Sequence, residues 1–218
     1  MRRLILIMMV LPAFAAAASA QPSHYGMTDP VKFRAERDSE FRDAERSPLS
    51  DADREAFAGL KYYPLAENFA VKAAFTRTQG GPVFLMPTTG GDSKRFVRTG
   101  IISFELDGRA FQLTAYEGES QATDAKWLEE YGDIIFIPFR DRTSGGETYG
   151  TGRYIYIPRP AGNELVMDFN LAFNPSCAYQ WKFSCPIPPK ENFLDIEIRA
   201  GERNYKAAAD VKPAADLK

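Results

Sequence analysis

Six side chains in two short stretches have the types and spacing of a polar site. TSGGETYGTGRY, residues 143–154, carries Glu147, Tyr149 and Arg153, and DFNLAFN, residues 168–174, carries Asp168, Asn170 and Asn174. Glu147 and Asp168 are a carboxylate pair of the kind that cleaves sugar bonds when the two groups stand roughly 5 to 10 Å apart in unlike environments. Arg153, Tyr149 and the amides could instead hold a small polar ligand or a glycan end. A third reading is structural: Arg153 pairs with Asp168 or Glu147 and pins the loop to the neighbouring strand, since a buried charge needs a partner. The four glycines of the first stretch allow the backbone to bend closely around whatever it encloses.

Residue supply excludes most other chemistry. His24 is the only histidine and stands near the start of the chain, where termini usually fray, so a Ser-His-Asp or Cys-His site has no base. Two cysteines and that histidine cannot furnish an ordinary zinc ligand set, and neither a metal nor another cofactor is expected. Gly145 and Gly150 have the spacing of a phosphate loop, but Thr151-Gly152 replaces its Lys-Ser/Thr and Glu147 repels phosphate. Asp51, Asp53 and Glu55 lack the glycine and distal glutamate of a calcium loop.

Short strands must position the six residues. From Asn68 the hydrophobic period becomes two: NFAVKAAF places Phe69, Val71, Ala73 and Phe75 on one face. In IISFELDGRAFQLTAY, Asp107-Gly108 has the chemistry of a two-residue hairpin turn, and pairing Leu106 with Arg109 sets Phe104 against Phe111 and Ile102 against Leu113. Further strands are expected at DIIFIPF, RYIYIP, ELVMDFN and FLDIEIRA, and a period of two through ELVMDFN points Asp168 and Asn170 the same way. ATDAKWLEEYG, within 121–131, reads as a helical turn capped by Thr123 or as a loop. Before the strands, Pro30 opens a helix with opposite charges four apart at Arg34/Asp38 and Asp38/Arg42, ended by Pro48; Ser50 and Asp53 cap a second, which Gly59 stops. The fold class is mainly β, an antiparallel sandwich or barrel-like sheet with an N-terminal helical extension. The expected divisions are 1–20, 21–60 for the extension, 61–205 for the β-rich domain and 206–218 for a disordered tail.

Residues 1–20 have the form of a secretory signal: Arg2 and Arg3, a short apolar run, then Ala18 and Ala20 as an A-x-A cleavage site that leaves Gln21 first. No later segment approaches a membrane helix, so a periplasmic or secreted protein without a membrane span is expected. The formal charge is −2, with 27 basic and 29 acidic residues, and losing Arg2 and Arg3 makes it −4, which excludes nucleic acid as a partner. In an exported protein Cys177 and Cys185 suggest a disulfide. The same segment, CAYQWKFSC, alternates like a strand, which would hold the two Cα atoms about 26 Å apart, whereas a bridge needs less than about 7 Å. The flanking NPS and CPIPP favour a folded-back, bridged loop.

The blocks FIPFRDRTSGGETYGTGRYIYI, MDFNLAFNPSCAY and CPIPPKENFLDIEIRAGE, in that order, resemble the bacterial proteins catalogued as domain of unknown function 1684. The resemblance extends over roughly Phe33 to Glu202. It implies one domain and brings no activity with it. The functional expectation is therefore a small-molecule- or glycan-binding or structural module of the cell envelope, with a hydrolase using Glu147 and Asp168 as the alternative.

Overall fold

The computed structural model of the 218-residue chain describes residues 24–78, 81–119, Leu128 and 132–205. The expected signal at 1–20, the 121–131 segment apart from Leu128, and the expected tail at 206–218 lie outside the described residues.

Helix α1 spans Pro30–Arg42, with Pro30 in the first turn and the Asp29 carboxylate accepting from the Val31 and Lys32 amides. Its buried residues are Phe33, Arg37, Glu40 and Phe41, one helical stripe of which half is charged. Asp38 and Arg42 approach to 3.8 Å as their spacing suggests, but Arg34 leaves Asp38 and lies over the Tyr62 ring, 4.5 Å from its centroid. The helix stops six residues short of Pro48, because Asp43 leaves helical geometry and its carboxylate caps the following turn by accepting from the Glu45 and Arg46 amides. Helix α2, Asp51–Glu55, has the expected start: Ser50 Oγ accepts from the Asp53 amide and donates to Asp53 Oδ2 at 2.8 Å.

Among the described residues eight strands follow: β1 Ala70–Arg77, β2 Val83–Pro87, β3 Ser93–Leu106, β4 Arg109–Gly118, β5 Ile134–Asp141, β6 Arg153–Pro158, β7 Glu164–Asp168 and β8 Phe193–Leu194. They form one sheet in the order β6-β5-β4-β3-β1-β7, with β2 on β3 and a short parallel β8 on β5. This mainly antiparallel sheet curls into a half-barrel, so of the two expected architectures the barrel-like one forms and the sandwich does not. Phe75, Ile102, Phe104, Leu113, Phe136, Ile155 and Met167 contribute to its core.

The β3–β4 hairpin has the expected register: Leu106 faces Arg109, Phe104 faces Phe111 and Ile102 faces Leu113. Asp107 at φ 51° and Gly108 at φ 69° take the left-handed conformations of a primed turn, whose twist matches that of the strands. The Phe104 and Phe111 rings stack at 5.9 Å; Phe104 is buried and Phe111 half-buried.

Two expected strands are cut short by side chains. In ELVMDFN the strand ends at Asp168, whose Oδ1 accepts from the Asn170 amide and starts a 3-10 turn over Phe169–Leu171. In FLDIEIRA only Phe193–Leu194 pairs as a strand; beyond it, side chains of the glycine-rich loop region take over the backbone bonding.

Candidate functional site

Arg153, at the start of β6, is fully buried and forms an ion pair with Asp141 at the end of β5, Nη2 to Oδ2 at 2.8 Å. Its guanidinium also donates to the carbonyls of Ile198, at 2.8 Å, and of Ala200. Asp141 in turn accepts from the Thr143 amide and hydroxyl and from the Ile198 amide. The pair thus does for residues 195–202 what a neighbouring strand would do. The expectation that Arg153 pairs with Asp168 or Glu147 is corrected: its partner is Asp141, and the loop bends around Asp141 and the C-terminal segment, with the Asn204 amide and side chain bonding Glu147 O and Gly146 O. Gly152, at φ +121°, completes the bend, since a Cβ there would meet Phe139 O at 2.6 Å. At its last residue the loop does touch DFNLAFN: Tyr154 and Phe173 exchange backbone hydrogen bonds of 2.9 and 3.0 Å.

The other expected site residues are scattered among separate tasks. Glu147 accepts from the Tyr63 hydroxyl and pairs with Arg199 at 3.0 Å. Asp168 Oδ1 is taken by Asn170, whose amide also bonds both backbone groups of Ala66. The Tyr149 hydroxyl lies 3.4 Å from Cys177 O. Glu147 and Asp168 share no partner among the described residues, so the pairing a hydrolase requires has no support in these contacts.

Of the six, only Asn174 borders an aromatic cleft, a cavity of about 210 Å³. Its walls are Tyr25 from the N-terminal segment, Tyr154 and Tyr156 from β6, Phe173, and Phe183 from the cysteine loop. Tyr25 meets Tyr156 edge to face at 4.8 Å, and Tyr156 stacks on Phe136 at 4.9 Å. Burial pushes the Tyr154 and Tyr156 phenols well above their usual range, so both remain neutral. Arg37 and Asn174 supply the polar floor, and the exposed Lys94 supplies the rim.

Arg37 is held by long-range partners. Its Nη2 donates to Glu202 Oε2 at 3.3 Å and to the Tyr179 hydroxyl at 3.2 Å, and its guanidinium lies 4.8 Å from the centroids of both Phe41 and Phe173. Burial works against its charge, but the Tyr179 phenol and the Glu202 carboxylate more than compensate and keep it protonated. Glu202, fully buried, also accepts from the Asn174 amide and Nδ2, and burial pushes its carboxyl upward. Arg37 Nε and Asn174 Oδ1 are enclosed by the protein and have no hydrogen-bond partner among the described residues. The orientation of the Asn174 amide is fixed, because Nδ2 meets two acceptors, Glu202 Oε1 and Arg203 O.

His24 does not fray. It is 5 % exposed, its Nδ1 is 2.7 Å from a Glu40 oxygen, and its ring packs against Tyr25, Phe33 and Phe173. Burial lowers its pKa to about 4 despite the Glu40 hydrogen bond, with Arg37 and Arg46 adding to the fall. The sign follows directly: the folded state favours the neutral ring, so its contribution is complete above the unfolded value near 6.5 and is lost as pH falls toward 4. The expected loss from this group alone is about 2 kcal/mol at pH 5. Burial tends to raise Glu40, but His24 and Arg37 win and leave it low, which adds acid sensitivity; raised Glu202 opposes it. Denaturation curves at pH 7 and pH 5 should therefore show a smaller drop in His24→Gln than in the wild type. An unchanged drop would assign the acid sensitivity elsewhere.

The disulfide expectation is also corrected. Cys177 and Cys185 are free, buried thiols that are not at disulfide distance. The loop does fold back, through a 3-10 turn at Ser176–Ala178, but it brings the Cys177 backbone amide, rather than its sulfur, onto Cys185 Sγ at 3.2 Å. Both thiols serve as small apolar members of a second core with Phe41, Leu49, Tyr149 and Tyr179. The Cys177 hydrogen bond and burial push the Cys185 thiol, which borders the cleft, well up.

Sequence reasoning missed Arg37, Glu202 and His24. One signal was present: Phe33, Arg37, Glu40 and Phe41 recur at the spacing of a single helix face.

Among the described residues no helix is long and apolar enough to cross a membrane. No curated protein matches the chain. A solved structure that does is the solution NMR structure of an uncharacterized protein of Haloarcula marismortui, 33 % identical, covering 79 % of this chain and 91 % of that one at a TM-score of 0.61. Residues 55–203, from the last residue of α2 through the Arg37 partner Glu202, match the family model described as protein of unknown function DUF1684, and the chain belongs to that family.

Proposed function

We propose that the protein is an exported ligand-binding module of the cell envelope, released by cleavage after Ala20, and that a small polar ligand or glycan end occupies the aromatic cleft above Arg37. The observation that carries this reading is a cavity with aromatic walls whose lining also includes the Arg37, Asn174 and Lys94 side chains. A few convergent polar groups among aromatic rings also make up the usual lining of a small-molecule site. The volume of about 210 Å³ falls below the roughly 300 Å³ at which drug-sized pockets begin, which suits a single ring. The arginine-rich start of the chain, its apolar run and Ala18-x-Ala20 support export.

Intact-mass measurement of natively expressed protein should give a chain beginning at Gln21. A thermal-shift screen against envelope sugars, short peptides and organic acids should then yield binders whose NMR perturbations centre on the rings of Tyr154, Tyr156, Phe173 and Phe183. Binders that move other resonances and leave these unchanged would overturn the site, as would a panel that moves none of them.

A further inference from the structure

A second site, separate from the ligand proposed for the cleft, follows from the two thiols. We infer that Cys177 and Cys185 together bind one soft monovalent cation, such as Cu(I), as a two-coordinate bis-thiolate. The loop that carries them folds back so far that the thiols hydrogen-bond each other, while the Cys177 amide donates to Cys185 Sγ at 3.2 Å. The two sulfurs are therefore neighbours. Among the described residues no group of three or more His, Cys, Asp and Glu side chains could hold a metal, so a cation between these sulfurs finds no third ligand of those types. That shortage selects the ion. Zn(II) takes four ligands in a tetrahedron and hard divalent cations take oxygens, whereas a filled-shell monovalent cation is satisfied by two thiolates in line.

Charge balance agrees with this choice. Each thiol gives its proton to solvent and each thiolate donates an electron pair, so binding frees both protons and leaves the complex with a single net negative charge. A buried anion needs donors around it. The Cys177 amide already donates to Cys185 Sγ, the Tyr149 hydroxyl lies 3.5 Å from Cys177 Sγ, and the Lys94 ammonium favours a thiolate at Cys185. No carboxylate borders the cleft to oppose them. The first deprotonation is eased as well, because the hydrogen bond with Cys185 and that with Tyr149 outweigh burial and lower the Cys177 thiol to about 7. Entry is from the cleft, which Cys185 borders.

Anaerobic titration of the reduced, metal-free protein with Cu(I) held by bicinchoninate tests the site. One equivalent of copper should leave the chelator, with about two protons released per ion at pH 6, below the Cys177 value. Ag(I), which needs no reductant, should fill the same site, and equimolar Zn(II) should displace neither ion. X-ray absorption at the copper edge should show two sulfur neighbours and no nitrogen or oxygen. Cys177→Ser and Cys185→Ser should each remove the binding while circular dichroism keeps its wild-type shape. If a serine variant fails to fold, the wild type still decides: Cys177 and Cys185 are the only cysteines, and a thioether releases no proton, so two sulfurs with two protons locate the ion on this pair. Copper that stays with bicinchoninate, binds without proton release or survives in a folded Cys185→Ser protein would overturn the site. Nitrogen or oxygen neighbours, or displacement by Zn(II), would overturn the two-coordinate assignment.

Discussion

Arg153→Met is expected to destabilise the protein by about 3 to 5 kcal/mol, the loss typical of removing one partner from a buried ion pair. Both side chains are fully buried, so water cannot replace what is lost. Methionine leaves the Asp141 carboxylate uncompensated and strands the Ile198 and Ala200 carbonyls that the guanidinium satisfies. For a domain of this size the change should lower Tm by roughly 10 °C. Arg153→Lys makes the geometry testable. Its single ammonium can keep the ion pair with Asp141 but cannot span the carboxylate and two separate carbonyls, so it should recover only part of the loss. Ligands of the cleft should add the same stabilisation to wild type and to both variants, because Arg153 does not border the cleft. A loss below 1 kcal/mol in Arg153→Met would mean that residues 195–202 are held by something else.

The same residue shows where a sequence can be read and where it cannot. The Asp107-Gly108 hairpin was legible because its determinants are local: two turn residues fix the register and apolar alternation fixes the face. Arg153 was legible as a charge needing a partner, but its partner was misassigned because a period of two was carried through Asp168 to Asn170. The Asp168 side chain ends that strand by bonding to the Asn170 amide, a local event that hydrophobic alternation does not record. The expected six-residue polar site accordingly separates into independent contacts, with only Asn174 bordering the cleft. The cleft floor was illegible for a different reason. Arg37 meets Asn174, Tyr179 and Glu202 across sequence separations of 137, 142 and 165 residues. Charges on α1 read equally well as a solvated face, and only long-range packing of that helix buries Arg37 and Glu40. The cysteines followed the same pattern: the fold-back of their loop was readable from the flanking prolines, whereas the backbone amide that occupies the position of a bridging sulfur was not.

Arg37→Met should be the second large effect, again about 3 to 5 kcal/mol, because Glu202 would lose its charge partner in a fully buried position. The informative comparison is with Arg37→Met/Glu202→Gln. Glutamine keeps an acceptor for Asn174 and removes the orphan charge, so the double variant should be more stable than Arg37→Met alone, with a coupling of about 1 to 3 kcal/mol in a double-mutant cycle. Buried ion pairs often stabilise no better than apolar groups of similar volume. If the neutral double variant folds nearly as well as the wild type, stability does not account for a guanidinium at this position, and its place in the lining of an aromatic cleft does. The double variant should then remain folded by circular dichroism yet lose the cleft perturbations that ligands cause in the wild type. Retained binding in a folded Arg37→Met/Glu202→Gln protein would separate Arg37 from recognition and confine it to holding α1 against the half-barrel.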